Sequence, residues 1–194
     1  MNLVLIRHGE TEHNRQNILQ GRTDIPLNET GREQAEKLAD RVSEEFDYDR
    51  VCSSDLSRAS ETASIIAEAM DSEHVEFEEF RERNFGVLEG ERKSRRREMI
   101  DHPDELDMLK PEDGEHLKDL RQRALGKIRQ ELETRDNLLI VAHGWVNRAV
   151  ITGLLESGEG HAHQLKQGNT CINVLERDEF RGWQLKRLND TAHL

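Results

Sequence analysis

The sequence predicts an α/β fold: a three-layer sandwich with a mostly parallel central sheet of about six strands and helices on both faces. Residues 3–6 and 138–142 are continuous apolar runs, which are typical of central strands buried on both faces. Amphipathic segments separate the apolar runs, as expected when helices cover a parallel sheet. The 194 residues show no internal repeat or low-complexity linker, so we expect a single domain over residues 1–194.

The first half of the chain alternates strand and helix signals. Apolar residues recur at helical spacing over 35–46 and again over 59–70. Residues 50–53 lie between these segments and predict a second strand. We expect a third strand near residues 75–80, followed by a charged, mostly helical insertion near 90–133.

The second half begins with the other buried run, residues 138–142. Apolar residues at helical spacing over 146–154 predict a helix directly after it. The chain then closes with two short apolar segments, 171–175 and 183–188, around a polar turn that contains a glycine. This pattern predicts a hairpin at the edge of the sheet.

Charge and composition exclude several function classes. The formal net charge of −12 argues against a nucleic-acid partner, because proteins that bind a phosphate backbone carry a basic footprint. No apolar run is long enough to span a membrane, and the N-terminus lacks the pattern of a cleaved signal, so we expect a cytoplasmic protein without a membrane partner.

Cys52 and Cys171 lie far apart in apolar stretches, which predicts reduced thiols in the core. No heptad pattern predicts an oligomeric state.

Both buried runs end immediately before a histidine that is followed by glycine. These sites are Arg7-His8-Gly9 and His143-Gly144. In open α/β sheets, ligands bind at the carboxyl ends of the strands, near the point where the strand order reverses. One histidine in such a place is most often structural, but two, each beside a glycine that lets a ligand approach the backbone, indicate a functional site.

The segment Arg7-His8-Gly9-Glu10-Thr11 resembles the RHGE/T motif of the histidine phosphatase (phosphoglycerate mutase-like) superfamily. Further motifs follow in the order of that family, and the resemblance covers nearly the whole chain. The ordered series is far more specific than the first motif alone. Its members are Asn14, Gln20-Gly21-Arg22-Thr23-Asp24, Pro26-Leu27, Ser53-Ser54-Asp55-Leu56-Ser57-Arg58-Ala59, Thr62-Ala63, Glu82-Arg83-Asn84-Phe85-Gly86, Glu89-Gly90 and Val141-Ala142-His143-Gly144.

The resemblance implies that His8 is a nucleophile that attacks phosphorus in line and forms a phosphohistidine. Residue chemistry supports the roles implied for the other positions. Arg7 and Arg58 present rigid, permanently charged donors to the equatorial oxygens, on which most of the catalysis of phosphoryl transfer depends. His143 is expected to add a third donor, and Asn14 a neutral one.

Glu82 is the expected general acid, which protonates the leaving oxygen and later activates water. Without the motif, Glu82 and Arg58 would be interpreted as ordinary surface side chains. We expect the insertion near 90–133 to lie over this active site. We further expect Gln20, Gly21, Thr23 and Gly144 to contribute to phosphate and substrate binding. Thr23, Asn169 and Thr170 are candidates to contact the ligand from loops at the mouth of the site, although they suit turn and cap roles equally well.

No metal ion and no other cofactor is expected. His161 and His163 lie close together but match no recognised zinc spacing, so we place them on a surface turn. The basic run from Arg92 to Arg97 allows two interpretations. It is either a solvated helix face that pairs with nearby acids, or a rim of the substrate pocket that attracts a second anionic group.

Hydrolysis and isomerisation share the phosphohistidine step in this family, so the acceptor of the phosphoryl group decides between them. Phosphoglycerate mutases typically carry a longer central insertion and a Glu-Arg-His-Tyr-Gly segment, where this chain has Glu82-Arg83-Asn84-Phe85-Gly86. We therefore predict a metal-independent phosphomonoesterase for a small phosphorylated metabolite. The alternatives are a cofactor-dependent phosphoglycerate mutase and a non-catalytic phosphate-binding regulatory module.

Overall fold

A computed structural model describes residues 1–101, 105 and 109–194, and only the backbone of Arg96, Arg97 and Glu159. Its sheet has six strands in the order β3-β2-β4-β1-β5-β6. The strands are β1 (Asn2–Arg7), β2 (Arg50–Ser53), β3 (Glu73–Glu76), β4 (Asn137–Ala142), β5 (Ile172–Asp178) and β6 (Gly182–Asp190). The described α-helices are α1 (Glu12–Arg15), α2 (Glu29–Glu45), α3 (Ser57–Ala69), α4 (Lys93–Arg97), α5 (Leu117–Leu132) and α6 (Gly144–Leu154).

The predicted fold class is confirmed. Strand β4 pairs in parallel with β1 and β2, and β2 pairs in parallel with β3. The strands β5 and β6 form the antiparallel hairpin at one edge of the sheet, and β5 pairs with β1. The register places Arg7 opposite Ala142, so β1 and β4 end side by side at the same edge of the sheet.

Two hydrophobic layers explain why β1 and β4 are apolar throughout. In β1, Leu3 and Leu5 pack in a cluster with residues of α5 and α6, whereas Val4 and Ile6 pack on the opposite face with residues of α2 and α3. All four of these side chains are fully buried. Since successive strand residues point to opposite faces, a strand covered on both faces needs an uninterrupted apolar run.

One predicted element differs from the structure. The third strand is β3 at Glu73–Glu76, earlier than expected, and Glu78–Phe80 forms a 3-10 helix instead. The register ends with Ser53 opposite Glu76, so the short strand β2 offers no further partner to extend β3. As predicted, the described part of the insertion is mostly helical, with α4 and α5, and residues 109–116 form neither helix nor strand. Residues 102–104 and 106–108 of this prediction lie outside the described residues.

Cys52 and Cys171 are buried free thiols, as predicted. Burial raises the pKa of the Cys52 thiol to about 12, which keeps the group protonated at neutral pH. None of the helices in the described ranges is both long and apolar enough to cross a lipid bilayer.

Candidate active site

The paired ends of β1 and β4 place His8 and His143 next to each other. The backbone N–H of His8 donates to the carbonyl oxygen of Ala142 at 3.0 Å, which continues the strand pairing by one residue. The two imidazole rings have their centroids 5.1 Å apart. Both side chains are buried. The chain therefore brings two imidazoles, 135 positions apart in sequence, to one point at the carboxyl edge of the sheet.

A single hydrogen bond sets the tautomer of His8. Its Nδ1 lies 2.6 Å from the carbonyl oxygen of Gly9, and a carbonyl oxygen can only accept. Nδ1 therefore carries the proton, and in the neutral ring the lone pair is on Nε2. Burial lowers the pKa of His8 well below its usual range, and the charges of Arg58 and Arg7 lower it further. The ring is thus held neutral, with its lone pair on Nε2.

Arg58 is a fully buried guanidinium on the first turn of α3. Its Nη1 donates to the carbonyl oxygen of Thr23 at 2.9 Å, and its Nη2 donates to the carbonyl oxygen of Gly21 at 2.8 Å. Burial lowers the pKa of Arg58 to about 10, and the nearby charge of Glu82 opposes this shift. Arg58 therefore remains positively charged at neutral pH.

Several buried side-chain nitrogens at this site have no hydrogen-bond partner in the described part of the chain. They are the Nε atoms of Arg7 and Arg58 and both ring nitrogens of His143. Burial lowers the pKa of His143 well below its usual range, and the charges of Arg58, His8 and Arg7 act in the same direction. A buried polar group without a partner is costly, so these groups are arranged for a ligand that supplies acceptors. A tetrahedral anion such as phosphate has the oxygens and the charge that they require.

Glu82 lies on the cavity wall and contacts the first turn of α6. Its Oε1 accepts hydrogen bonds from the backbone N–H groups of Arg83 at 2.9 Å and Trp145 at 3.2 Å. A Cβ placed on Gly144 would lie 3.7 Å from Arg7 Nε and 3.9 Å from Glu82 Oε2. The acid and a guanidinium of the proposed phosphate site thus face the same point beside Gly144.

The other predicted site residues fall into two groups. Asn14, Gln20, Gly21 and Gly144 line the same cavity as Arg7, His8, Arg58 and Glu82. The Oδ1 of Asn14 accepts hydrogen bonds from Thr11 N–H and from Asn169 Nδ2. Thr23 is exposed and does not line the cavity, because its hydroxyl donates to Glu89 at 2.7 Å. His143 is not among the lining residues, although its ring centroid lies 5.1 Å from that of His8.

The cavity has a volume of about 270 Å³. Its described lining carries four basic side chains, Arg7, Arg58, Lys93 and Arg148, and one acidic side chain, Glu82. In a chain of net charge −12 this is a local reversal of sign, which attracts anions. Besides the predicted residues, the lining contains Ile18, Leu19, Phe85, Lys93, Trp145, Arg148, His163 and Gln167.

Some of these residues correct the sequence interpretation. His163 is half-buried and lines the cavity, so its placement on a surface turn was wrong, whereas His161 is exposed. Of the basic run, Lys93 lines the cavity and Arg95 instead pairs with Glu98 on the surface. Arg148 stands four positions after Gly144 on α6, a spacing that could have indicated it. Gln167 had no comparable signal in the sequence. The described residues hold no cluster of three or more histidine, cysteine or acidic side chains that could bind a metal ion.

The lowered pKa values of His8 and His143 predict a pH dependence of stability. The unfolded chain takes up protons at these histidines below about pH 6.5, before the folded protein does, so the ligand-free protein should lose stability as the pH falls further. Each histidine contributes a slope of up to about 1.4 kcal/mol per pH unit until its folded pKa is reached. Urea unfolding in phosphate-free buffer at about pH 7.5 and about pH 5.5 measures this loss.

His143→Gln should flatten this pH dependence, and His161→Gln, a change at an exposed ring, should not. A free energy of unfolding that stays constant or rises on acidification would contradict the prediction.

Comparisons with known proteins agree with this geometry. The model of the histidine phosphatase superfamily (branch 1) matches residues 3–191. The uncharacterized phosphatase PhoE of Bacillus subtilis is 36% identical over 195 residues, covering 99% of this chain and 96% of PhoE. The probable phosphoglycerate mutase GpmB of Shigella boydii is 30% identical over 208 residues, covering 100% of this chain and 95% of GpmB. A solved structure of a phosphoserine phosphatase mutant from Entamoeba histolytica in complex with phosphoserine matches with a TM-score of 0.85 and 29% identity, covering 100% of this chain and 98% of that one.

Proposed function

The chain belongs to the histidine phosphatase superfamily (branch 1), as its motifs predicted, and from this premise we propose that it is a metal-independent phosphomonoesterase acting through a phosphohistidine on His8. The observation that carries the proposal is the hydrogen bond from His8 Nδ1 to the carbonyl oxygen of Gly9. It gives Nε2 the lone pair in a neutral ring, beside unsatisfied donors that suit a phosphate.

In the first step, the lone pair of His8 Nε2 attacks phosphorus and the bond from phosphorus to the leaving oxygen breaks. Glu82 gives its proton to that oxygen, so the product leaves as an alcohol. Arg7, Arg58 and His143 hold the phosphoryl oxygens throughout and offset their charge. The protein is left with a phosphohistidine and an ionised Glu82.

In the second step, water attacks the phosphohistidine. The carboxylate of Glu82 takes a proton from this water, and the bond between phosphorus and Nε2 breaks, so the electron pair returns to His8. Inorganic phosphate leaves, and both groups regain their starting protonation states. No metal ion is needed for this cycle, because the guanidinium groups supply the positive charge.

The cavity supports a small substrate with a second polar or anionic group. Its volume of about 270 Å³ is near the lower end of ligand pockets. Lys93, Arg148 and His163 lie on its wall, in addition to the residues proposed to hold the phosphate. The related phosphoserine phosphatase binds phosphoserine, which combines a phosphoester with a carboxylate. A small phosphorylated acid therefore fits better than an alkyl phosphate that has no second anionic group.

The test is a panel of phosphomonoesters with rapid acid and base quenching. We expect release of inorganic phosphate and a phosphoprotein that is labile in acid and stable in base. We also expect a higher kcat/KM for 3-phosphoglycerate than for glycerol 3-phosphate, a close match without the carboxylate. Isomerisation of 3-phosphoglycerate without phosphate release would support the mutase alternative instead. A phosphoprotein that is stable in acid and labile in base would contradict the mechanism. So would the absence of any phosphoprotein during turnover.

A further inference from the structure

The orientation of Arg58 depends on the loop over residues 20–24. The two terminal nitrogens of Arg58 donate to the carbonyl oxygens of Gly21 and Thr23, and these are its hydrogen bonds within the described chain. The loop itself contains neither helix nor strand. Its two carbonyls can aim the guanidinium only if other contacts hold the loop in place.

Glu89 supplies these contacts from a distant part of the sequence. Its Oε1 accepts a hydrogen bond from Arg22 N–H at 2.9 Å, and its Oε2 accepts from Thr23 N–H at 3.0 Å and from Thr23 Oγ1 at 2.7 Å. The N–H of Phe85 completes the set at 3.1 Å to Oε1. One carboxylate thus accepts four hydrogen bonds, three of them from the loop, and bonds to a charged acceptor are about twice as strong as neutral ones.

The backbone of the loop is shaped to receive this carboxylate. Gly21 has a φ of +53°, and a Cβ at this position would lie 2.0 Å from Glu89 Oε1. Any side chain here would displace Glu89 or the loop. Glu89 also has the support of the backbone around it, because Gly90 N–H donates to Leu19 O at 2.9 Å and Leu19 N–H donates to Glu91 O at 2.8 Å.

We propose that Glu89 is a positioning residue for phosphoryl transfer, which fixes the loop over residues 20–24 and thereby aims Arg58 at the phosphate. Glu89 does not itself line the described cavity. It stands seven positions after Glu82, so one segment carries both the acid and the contact that orients the phosphate-binding arginine. The inference rests on the proposed function only for the identity of the anion, a phosphate.

The test compares Glu89→Gln with Glu91→Gln, a matched change two positions away. Glutamine keeps the size but turns its amide donor toward backbone N–H groups, so the loop loses part of its anchor. We expect the Kd for inorganic phosphate, measured by calorimetry, to rise by about 10-fold to 100-fold for Glu89→Gln. The exposed side chain of Glu91 should tolerate the same change without effect. An unchanged Kd in folded Glu89→Gln would overturn the proposal.

A double-mutant cycle separates positioning from general destabilisation. In an Arg58→Met background, Glu89→Gln should weaken phosphate binding by less than about threefold further, because its effect passes through Arg58. An equal loss in both backgrounds would mean that Glu89 merely supports the fold. If Glu89→Gln does not fold, Thr23→Val removes only the hydroxyl bond, and we expect a Kd increase of about 3-fold to 10-fold. An unchanged Kd for Thr23→Val would then overturn the proposal.

This readout also distinguishes the two proposals. Wild-type protein that binds phosphate, with weakened binding in Glu89→Gln, but that hydrolyses no phosphomonoester, would refute the proposed function and leave the role of Glu89 intact. Hydrolysis of phosphomonoesters by the wild type, together with equal Kd values for phosphate in wild type and Glu89→Gln, would support the proposed function and refute the role of Glu89.

Discussion

His8→Ala is expected to lower kcat for phosphomonoester hydrolysis by about 10⁵-fold or more and to abolish the phosphoprotein. The change removes Nε2, the only protein atom that bonds to phosphorus in the proposed cycle. Arg7, Arg58 and His143 remain, so inorganic phosphate should still bind within about tenfold of its wild-type affinity. Rapid-quench assays and calorimetry on the same preparation measure both quantities.

The matched control is His161→Ala, because His161 is exposed on the 3-10 helix Glu159–Gln164. It should keep wild-type turnover. Robust hydrolysis by purified His8→Ala would mean that another group, or water directly, attacks phosphorus, and the mechanism would have to be abandoned.

Glu82→Gln is expected to slow turnover by about 10²-fold to 10⁴-fold, the usual contribution of a general acid. Glutamine can still accept a hydrogen bond from Trp145 N–H, as Glu82 does, but it cannot deliver a proton. The loss should therefore depend on the leaving group. Alkyl phosphates should lose the most, and p-nitrophenyl phosphate the least, because its phenolate leaves without protonation.

Steady-state rates for both substrate types, over a range of pH, measure this difference. Glu68→Gln, an exposed position on α3, is the control and should behave as wild type. Equal losses for both leaving groups would indicate that Glu82 positions the substrate and does not protonate it. Unchanged rates would remove it from the cycle.

Local patterns in the sequence were sufficient for much of the fold. The strands β1 and β4 were recognisable because burial on both faces demands apolar residues at every position, as at Leu5 and Ile140. The helices α2 and α3 show the spacing of an apolar stripe. The end of β3 was misplaced because the length of this strand depends on its pairing partner β2. The residues of β3 alone do not specify that pairing.

The candidate site was likewise predicted only in part from the sequence. The motifs identified Arg7, His8, Arg58, Glu82 and His143, whose residue types match the chemistry of phosphoryl transfer. The wall residues Trp145, His163 and Gln167 were missed, or placed elsewhere, because they come from separate segments and share no motif. Only packing brings such residues to one cavity, and a half-buried histidine cannot be told from an exposed one by its neighbours in sequence.

The sequence alone determined the chemical types available: two histidines after buried strands, two arginines and a glutamate in a recognisable order. Tertiary structure decided what each group can do. The carbonyl of Gly9 fixes the tautomer of His8, and Glu89 accepts hydrogen bonds from a loop 66 positions away whose carbonyls accept from Arg58. The physical reason is that hydrogen bonds depend on distance and direction between atoms, which residue identity does not specify until the chain has folded.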